Sequence, residues 1–314
     1  MKRTIIALCA TIIALSASAQ FNFGSVNIRC SGKGDYKKNN GWDQRRDELC
    51  EIIRFEAFDV FGAQEVRHTQ LKDMLERLPE YDYIGVGRDD GKEKGEYSPV
   101  FYRRDQFQKL DGGTFWLSET PDQVSKGWDG QCRRVCSWGK FKDKKSKTIF
   151  WFFNMHMDHR GKVARAEGAK LVVERVRQMA GANANIVITG DYNVTQSSVP
   201  YMTFRDCGFL KDSYEAAPIR LAHTGTFNSF NPNNWSTRRI DHIFVSKGAK
   251  VERFGILTYH YWLEQQGEDS ELQHAPKEIR AEKRELKCPS DHYPLQAFVT
   301  FKKKKEHPAT RQNR

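Results

Sequence analysis

Beyond its first twenty residues the chain has no apolar run long enough to cross a membrane, which takes about 20 residues. It has no Cys-x-x-Cys pair, so the usual spacing of a structural zinc site is missing. It also lacks a Pro/Gly/Ser-rich linker, an internal repeat and a low-complexity interior, which argues against repeat and visibly jointed architectures. One-sided charge is scarcer than the total suggests. The net charge is +11, but Lys2 and Arg3 carry +2 of it and the segment from Lys302 to Arg314 carries +5, leaving +4 on the body. Terminal charge runs are usually solvated ends, so charge alone gives little reason to expect a nucleic-acid surface.

What is present begins with an export signal. Lys2 and Arg3 form a positive start, Ile5 to Ala17 the apolar middle, and Ser16-Ala17-Ser18-Ala19 the small-residue cleavage site. Cys9 lies inside the apolar run, not at the cleavage site, which argues against a lipid-modified N-terminus. The expected mature protein starts near Gln20, is periplasmic or secreted, carries no transmembrane anchor and is a monomer. A single domain is expected over residues 21–301, followed by a basic, disordered tail at 302–314. Cys30, Cys50, Cys132, Cys136, Cys207 and Cys288 remain after the signal. Export permits disulfides. Cys132 and Cys136 are spaced for a local bridge, and at most one or two bridges are expected.

Periodicity predicts helices over Asp43–Phe58, His68–Leu78 and Lys162–Met179, the last with Val163, Ala166, Ala169, Val173 and Val176 on one face. Strands are predicted at Phe21–Ile28, Asp59–Ala63, Tyr81–Val86, Ser98–Tyr102, Phe107–Phe115, Val135–Phe141, Thr148–Asn154, Asn185–Thr189, Ile240–Ser246, Lys250–Leu257 and Pro294–Phe301. The pattern implies an α/β protein with mixed sheets and helices outside. Gly87–Gly95 and Gln265–Pro289 show neither period and read as loops beside the motifs.

Short polar motifs sit at the strand ends: Asn27-Ile28-Arg29, Gln64-Glu65-Val66-Arg67, Asn154-Met155-His156, Gly190-Asp191-Tyr192-Asn193, Ile240-Asp241-His242 and Ser290-Asp291-His292. Glu65 ends an apolar strand, where a hard cation would offset its charge; a surface salt bridge is the plainer alternative. Asn27 either holds a metal-bound water or caps a turn. Asp191 and Asn193 suit water and phosphoryl orientation, or an Asx-turn. His156 and His292 have Asp241 and Glu96 as candidate carboxylate partners, which a general base near neutral pH requires. Asp158, His159 and His242 stay ambiguous, since Asp158 or His159 can equally cap the helix near Lys162.

With these motifs in this order the sequence resembles the endonuclease/exonuclease/phosphatase superfamily, from Asn22 to Phe301. It looks most like the exported bacterial branch with Phe115-Trp116-Leu117-Ser118-Glu119-Thr120-Pro121. The resemblance implies a DNase I-like four-layer sandwich, two mixed β-sheets face to face with helices outside. It implies Mg²⁺, which Mn²⁺ can replace, held by Glu65 with Asn27 and Asp291. Asp191 and Asn193 would align water and phosphate, Asp241 would support a catalytic histidine, His292 would be general base or phosphate contact, and His156 would fill the other histidine position. Glu96 precedes Arg103, and Arg134 precedes Phe141, at spacings seen in the pancreatic nuclease. Arg29 and Arg67 match positions that touch DNA there, which leans the reading towards a nuclease. The acids Glu264, Glu268, Asp269 and Glu271 would repel a long polyanion. The expected reaction is in-line attack of water on a phosphodiester, or a phosphomonoester. The substrate alternatives are a phospholipid, sphingomyelin or a sugar phosphate, and the third reading is an inactive binding module on the same fold.

Overall fold

The computed structural model describes residues 19–268 and 282–301. The predicted basic tail, nearly all of the export segment, Asp269 and Glu271 lie outside the described residues. No helix among the described residues is long and apolar enough to cross a membrane.

One sheet runs β12 (Ile219–Leu221), β14 (Lys250–Ile256), β17 (Leu295–Thr300), β1 (Gln20–Asn27), β2 (Val60–Gln64), β6 (Val100–Arg103) and β4 (Tyr81–Ile84). The other runs β11 (Leu210–Asp212), β13 (Asp241–Ser246), β10 (Ile186–Asp191), β9 (Ile149–His156), β8 (Val135–Asp143) and β7 (Phe107–Trp116). The helices α2 (Trp42–Glu56) and α3 (His68–Arg77) cover the first sheet, and α4 (Lys162–Ala180) and α5 (Val199–Arg205) cover the second. This is the four-layer α/β sandwich with mixed sheets that the family resemblance implies.

Strand alternation builds the layers. On β1, Phe21 and Phe23 enter the core between the sheets, while Val26 and, just past the strand, Ile28 pack under α2. On β9, Phe150 and Phe152 face inward and Phe153 and Met155 face α4. Val187, Ile243 and Val245 also face inward, and Ile186, Ile188 and Phe244 outward. The inward rows change character along their length, from apolar to amide and hydroxyl to functional: Phe21-Phe23-Ser25-Asn27, Val60-Gly62-Gln64, Phe150-Phe152-Asn154-His156 and Val187-Thr189-Asp191.

The same arrangement occurs in each sheet. β1 pairs parallel with β2, and β9 pairs parallel with β10. An antiparallel strand flanks each pair, β17 beside β1 and β13 beside β10. Parallel strands end at the same edge, so Asn27, Gln64, His156 and Asp191 all finish at one mouth of the sandwich. The antiparallel strands start there, which brings in Asp241 and the Asp291-His292 segment.

Several sequence expectations change. Gln265–Pro289 is not wholly loop: β15 (Tyr261–Glu268) and β16 (Glu282–Lys287) pair as an antiparallel ribbon. The ribbon packs beside the start of α2, through Tyr261 Oη to the Gln44 carbonyl at 3.3 Å and Lys287 Nζ to the Lys38 carbonyl at 3.0 Å. On α4 the buried stripe is Ala164, Gly168, Ala169, Val172 and Val176, and Val163 is 49% exposed. The helix rotates its four-residue row of small side chains onto the sheet, and Val163 falls outside it. The six cysteines are all free. Cys136 points into the core under α4 while Cys132 lines a cleft, so their side chains diverge.

Candidate active site

The mouth is a cleft of about 800 Å³. Arg29, Glu65, His156, Asp191, Asn193, Asp291 and His292 line its floor. The two sheets meet here through Asn27, whose Nδ2 donates to Asp191 Oδ2 at 3.1 Å and to Glu65 Oε1 at 3.2 Å. Glu65 Oε2 accepts the Cys30 N–H at 3.0 Å. One ligand atom each from Glu65, Asp191 and His292 lies within 4.8 Å of the others.

The backbone is bent to make this possible. Arg29, Glu65 and Asn193 have φ of 58°, 61° and 52°, the left-handed region that costs a side-chain-bearing residue roughly 1–3 kcal/mol. Each follows a strand end by one or two residues, so the turn throws the functional group back over the mouth. Asp191 Oδ1 accepts the Asn193 N–H at 2.8 Å and holds that turn.

The two histidines differ. His292 Nδ1 lies 2.9 Å from Asp241 Oδ2, and its Nε2 lies 3.8 Å from Asp191 Oδ2. Burial works against its charge, but Asp241, Asp191 and Asp291 together push its pKa well up. His156 Nε2 lies 3.0 Å from Asn193 Nδ2 and 3.5 Å from Asp191 Oδ2. Burial, with Arg134 and Arg88 adding, pushes His156 well down, so it is neutral. Burial also raises Asp191 and Asp291, the nearest added causes being Asp241 for the first and Glu65 for the second. Burial opposes ionisation of Glu65 as well, yet the Cys30 N–H, His292 and Arg29 hold it below the usual carboxylate range. Asp291 Oδ1 is buried with no partner among the described residues. Crowded oxygen donors with an unpartnered carboxylate oxygen fit a hard divalent cation, and do not fit a soft one.

A model of the endonuclease/exonuclease/phosphatase family matches residues 24–292, which spans every motif just described. The chain belongs to that family. It is 44% identical to a family protein from Bacteroides thetaiotaomicron, over 92% of this chain and all of that one, with a TM-score of 0.85. It is 45% identical to a mannosyl-6-phosphatase from Bacteroides thetaiotaomicron VPI-5482, over 90% of this chain and all of that one, with a TM-score of 0.83. A curated protein of Acanthamoeba polyphaga mimivirus is 27% identical over 227 residues, 68% of this chain and 82% of that protein. Family members are hydrolases, with phosphoesterases among the structural neighbours and divalent metals in general use.

Most of the family motif residues converge, and some do not. Arg29 reaches the floor, 3.2 Å from Asp35 and 3.6 Å from Asp291. Arg134 lines the cleft wall, donating to His159 Nδ1 at 2.9 Å. Arg67 is exposed at the start of α3 and is not part of the lining, because its strand turns outward just after Glu65. Glu96 lines the cleft but bonds Arg88 Nη1 at 2.6 Å, not a histidine. Arg103 pairs with Asp105 at the far end of β6. His242 points away from the cleft: it is 1% exposed, its Nε2 lies 3.2 Å from the Val194 carbonyl, and Tyr192 and Tyr201 pack on its ring. Asp158 is structural, accepting the N–H groups of Gln131, Cys132, Arg160 and Gly161. Asp129 caps α4 instead, through the N–H groups of Val163 and Ala164. Glu264 sits on the ribbon, paired with Arg284, outside the cleft lining.

Sequence reasoning missed Arg88, Cys132, Phe227, Asn234, Ser236 and Arg238 in the lining. Arg88 lies in the first long loop, next to Glu96. The Phe227–Arg238 stretch is rich in Asn, Ser and Thr and runs directly into the Ile240-Asp241 motif; a polar loop feeding a site strand was the available signal.

Proposed function

We propose that the protein is an exported, Mg²⁺- or Mn²⁺-dependent phosphoesterase whose preferred substrate is a sugar phosphate monoester. The observation that carries the reaction class is the Glu65–Asp191–His292 constellation within 4.8 Å. Glu65, Asn27 and Asp291 would hold the cation. Bound there, it would supply Lewis-acid stabilisation of charge on the phosphoryl oxygens. Asp241 fixes the ring of His292 through Nδ1 and leaves Nε2 facing Asp191. Asp191 and the protonated His292 would hold the attacking water between them, and the Asp191 carboxylate would take its proton. On the opposite side Asn193 Nδ2 donates to His156 Nε2 and to the Met157 carbonyl, both at 3.0 Å, which fixes the neutral His156 ring at the floor of the cleft.

The substrate class is supported by the 45% identity to the mannosyl-6-phosphatase. The nuclease reading has less support, since Arg67 lies off the cleft and Arg29 is already engaged by Asp35. Phosphate release from mannose 6-phosphate, with bis-p-nitrophenyl phosphate, DNA and sphingomyelin as competing panels, tests this. Activity on mannose 6-phosphate should vanish with EDTA and return with Mg²⁺ or Mn²⁺. Faster cleavage of DNA than of any phosphomonoester would overturn the substrate assignment.

A further inference from the structure

The Trp116 motif segment plays no part in the chemistry above, yet it holds the cleft wall. Trp116 Nε1 donates to the Arg88 carbonyl at 2.8 Å. The next residue, Leu117, donates its N–H to the Arg134 carbonyl at 2.8 Å. The loop carrying Arg88 is pinned again by Arg88 N–H to the Glu96 carbonyl at 3.1 Å and by Tyr97 Oη to the Lys92 carbonyl at 2.9 Å. Arg88 and Glu96 form an ion pair at 2.6 Å, each side chain 12% exposed, and both line the cleft. Their position is close to the reacting end. Glu96 pairs with Arg67 in a two-residue ladder that starts directly after Glu65.

We propose that the Arg88–Glu96 pair is a hydroxyl-reading subsite for the alcohol part of the substrate, held in position by the indole of Trp116. This rests on the phosphoesterase reading above. The pair is neutral as a unit and sets a fixed donor beside a fixed acceptor. A hydroxyl is itself both donor and acceptor, so neighbouring sugar hydroxyls match it. A second phosphate or a nucleic-acid backbone would call for unpaired cations instead. The Arg134–His159 contact continues the alternation along the same wall. Trp116 is a positioning residue: it reaches the substrate only through Arg88.

The test compares mannose 6-phosphate with propyl phosphate, which has no hydroxyl to read, in the wild type, Trp116→Phe and Glu96→Gln. Melting curves verify that each variant is folded. Mannose 6-phosphate should be preferred by the wild type. Each variant should raise KM for it by about tenfold, the scale of one lost charge-assisted hydrogen bond, with kcat within about twofold. The preference over propyl phosphate should shrink by the same factor. Equal losses on both substrates, or a wild type that does not prefer the sugar, would overturn the subsite and leave the phosphoesterase reading standing. A wild type that releases phosphate from neither substrate with Mg²⁺ or Mn²⁺ would overturn both.

Discussion

Asp241 and His242 are adjacent in sequence, yet one faces the cleft and the other the helix layer. Strand parity separates them: Asp241 shares its side of β13 with the core residues Ile243 and Val245, and His242 shares the other with Phe244. Asp241→Asn should therefore lower turnover by at least roughly a hundredfold, because the amide cannot hold the His292 imidazolium, and steady-state kinetics would reveal a smaller loss. Glu65→Gln should raise the Mg²⁺ concentration for half-maximal activity while leaving the melting temperature of the metal-free protein nearly unchanged. His242→Phe should leave turnover within a few-fold and act on acid stability instead. Burial pushes the His242 pKa down to about 4, against about 6.5 when unfolded. The buried neutral ring thus contributes fully above about pH 6.5, and the contribution is lost as pH falls towards 4, on the order of 3 kcal/mol in all. Urea midpoints at neutral and acid pH should converge in His242→Phe relative to the wild type.

Below the functional tips of the strands lies a belt of amides that ties the two sheets together. Gln64 Nε2 donates to Asn154 Oδ1 at 2.7 Å and to Ser25 Oγ at 3.2 Å, and Thr189 Oγ1 donates to the same Asn154 oxygen at 3.0 Å. Asn154 Nδ2 donates to the Ala63 and Pro99 carbonyls at 2.6 and 2.9 Å. Asn154→Leu should cost about 3 kcal/mol or more, since it strands several buried partners at once; chemical denaturation measures it. Gly62→Ala should be comparably damaging, because a Cβ there would sit 2.2 Å from Asn154 Oδ1. This belt was only partly legible. Gln64 and Asn154 stand inside the strand-end motifs, but their role depends on pairing across 90 residues, which one chain's pattern does not reveal. The strands themselves were legible because short apolar runs mark them, as in Phe150-Trp151-Phe152-Phe153. In such a run both faces are apolar, so the pattern does not say that Asp241 and His242 face opposite sides; only the parity of β13 separates them. The Tyr261–Lys287 ribbon was missed because, beyond Tyr261-Trp262-Leu263, its strands consist almost wholly of charged and amide residues and show no apolar period, and Arg67 was misplaced because the bend at Glu65 changes the direction in which the next residues face.

At the scale of the whole molecule, the cleft depends on both ends of the chain. β1 and β17 pair with Gln20 opposite Thr300 and Ser25 opposite Leu295. Asn27 and His292 therefore lie at the mouth, and Gln20 and Thr300 lie at the other end of the same strands, roughly 20–25 Å away at the usual rise per residue. Removal of residues 302–314 should leave kcat/KM on a small phosphomonoester unchanged, and a large loss would contradict that placement. The two ends of the folded body leave side by side from the pole opposite the mouth. A handle fixed at either terminus, whether a surface tether, a fusion partner or a resin, would hold the enzyme by its base with its opening turned to the medium. Joining residues 20 and 300 by a short peptide and reopening the chain at an exposed loop should likewise preserve the cleft.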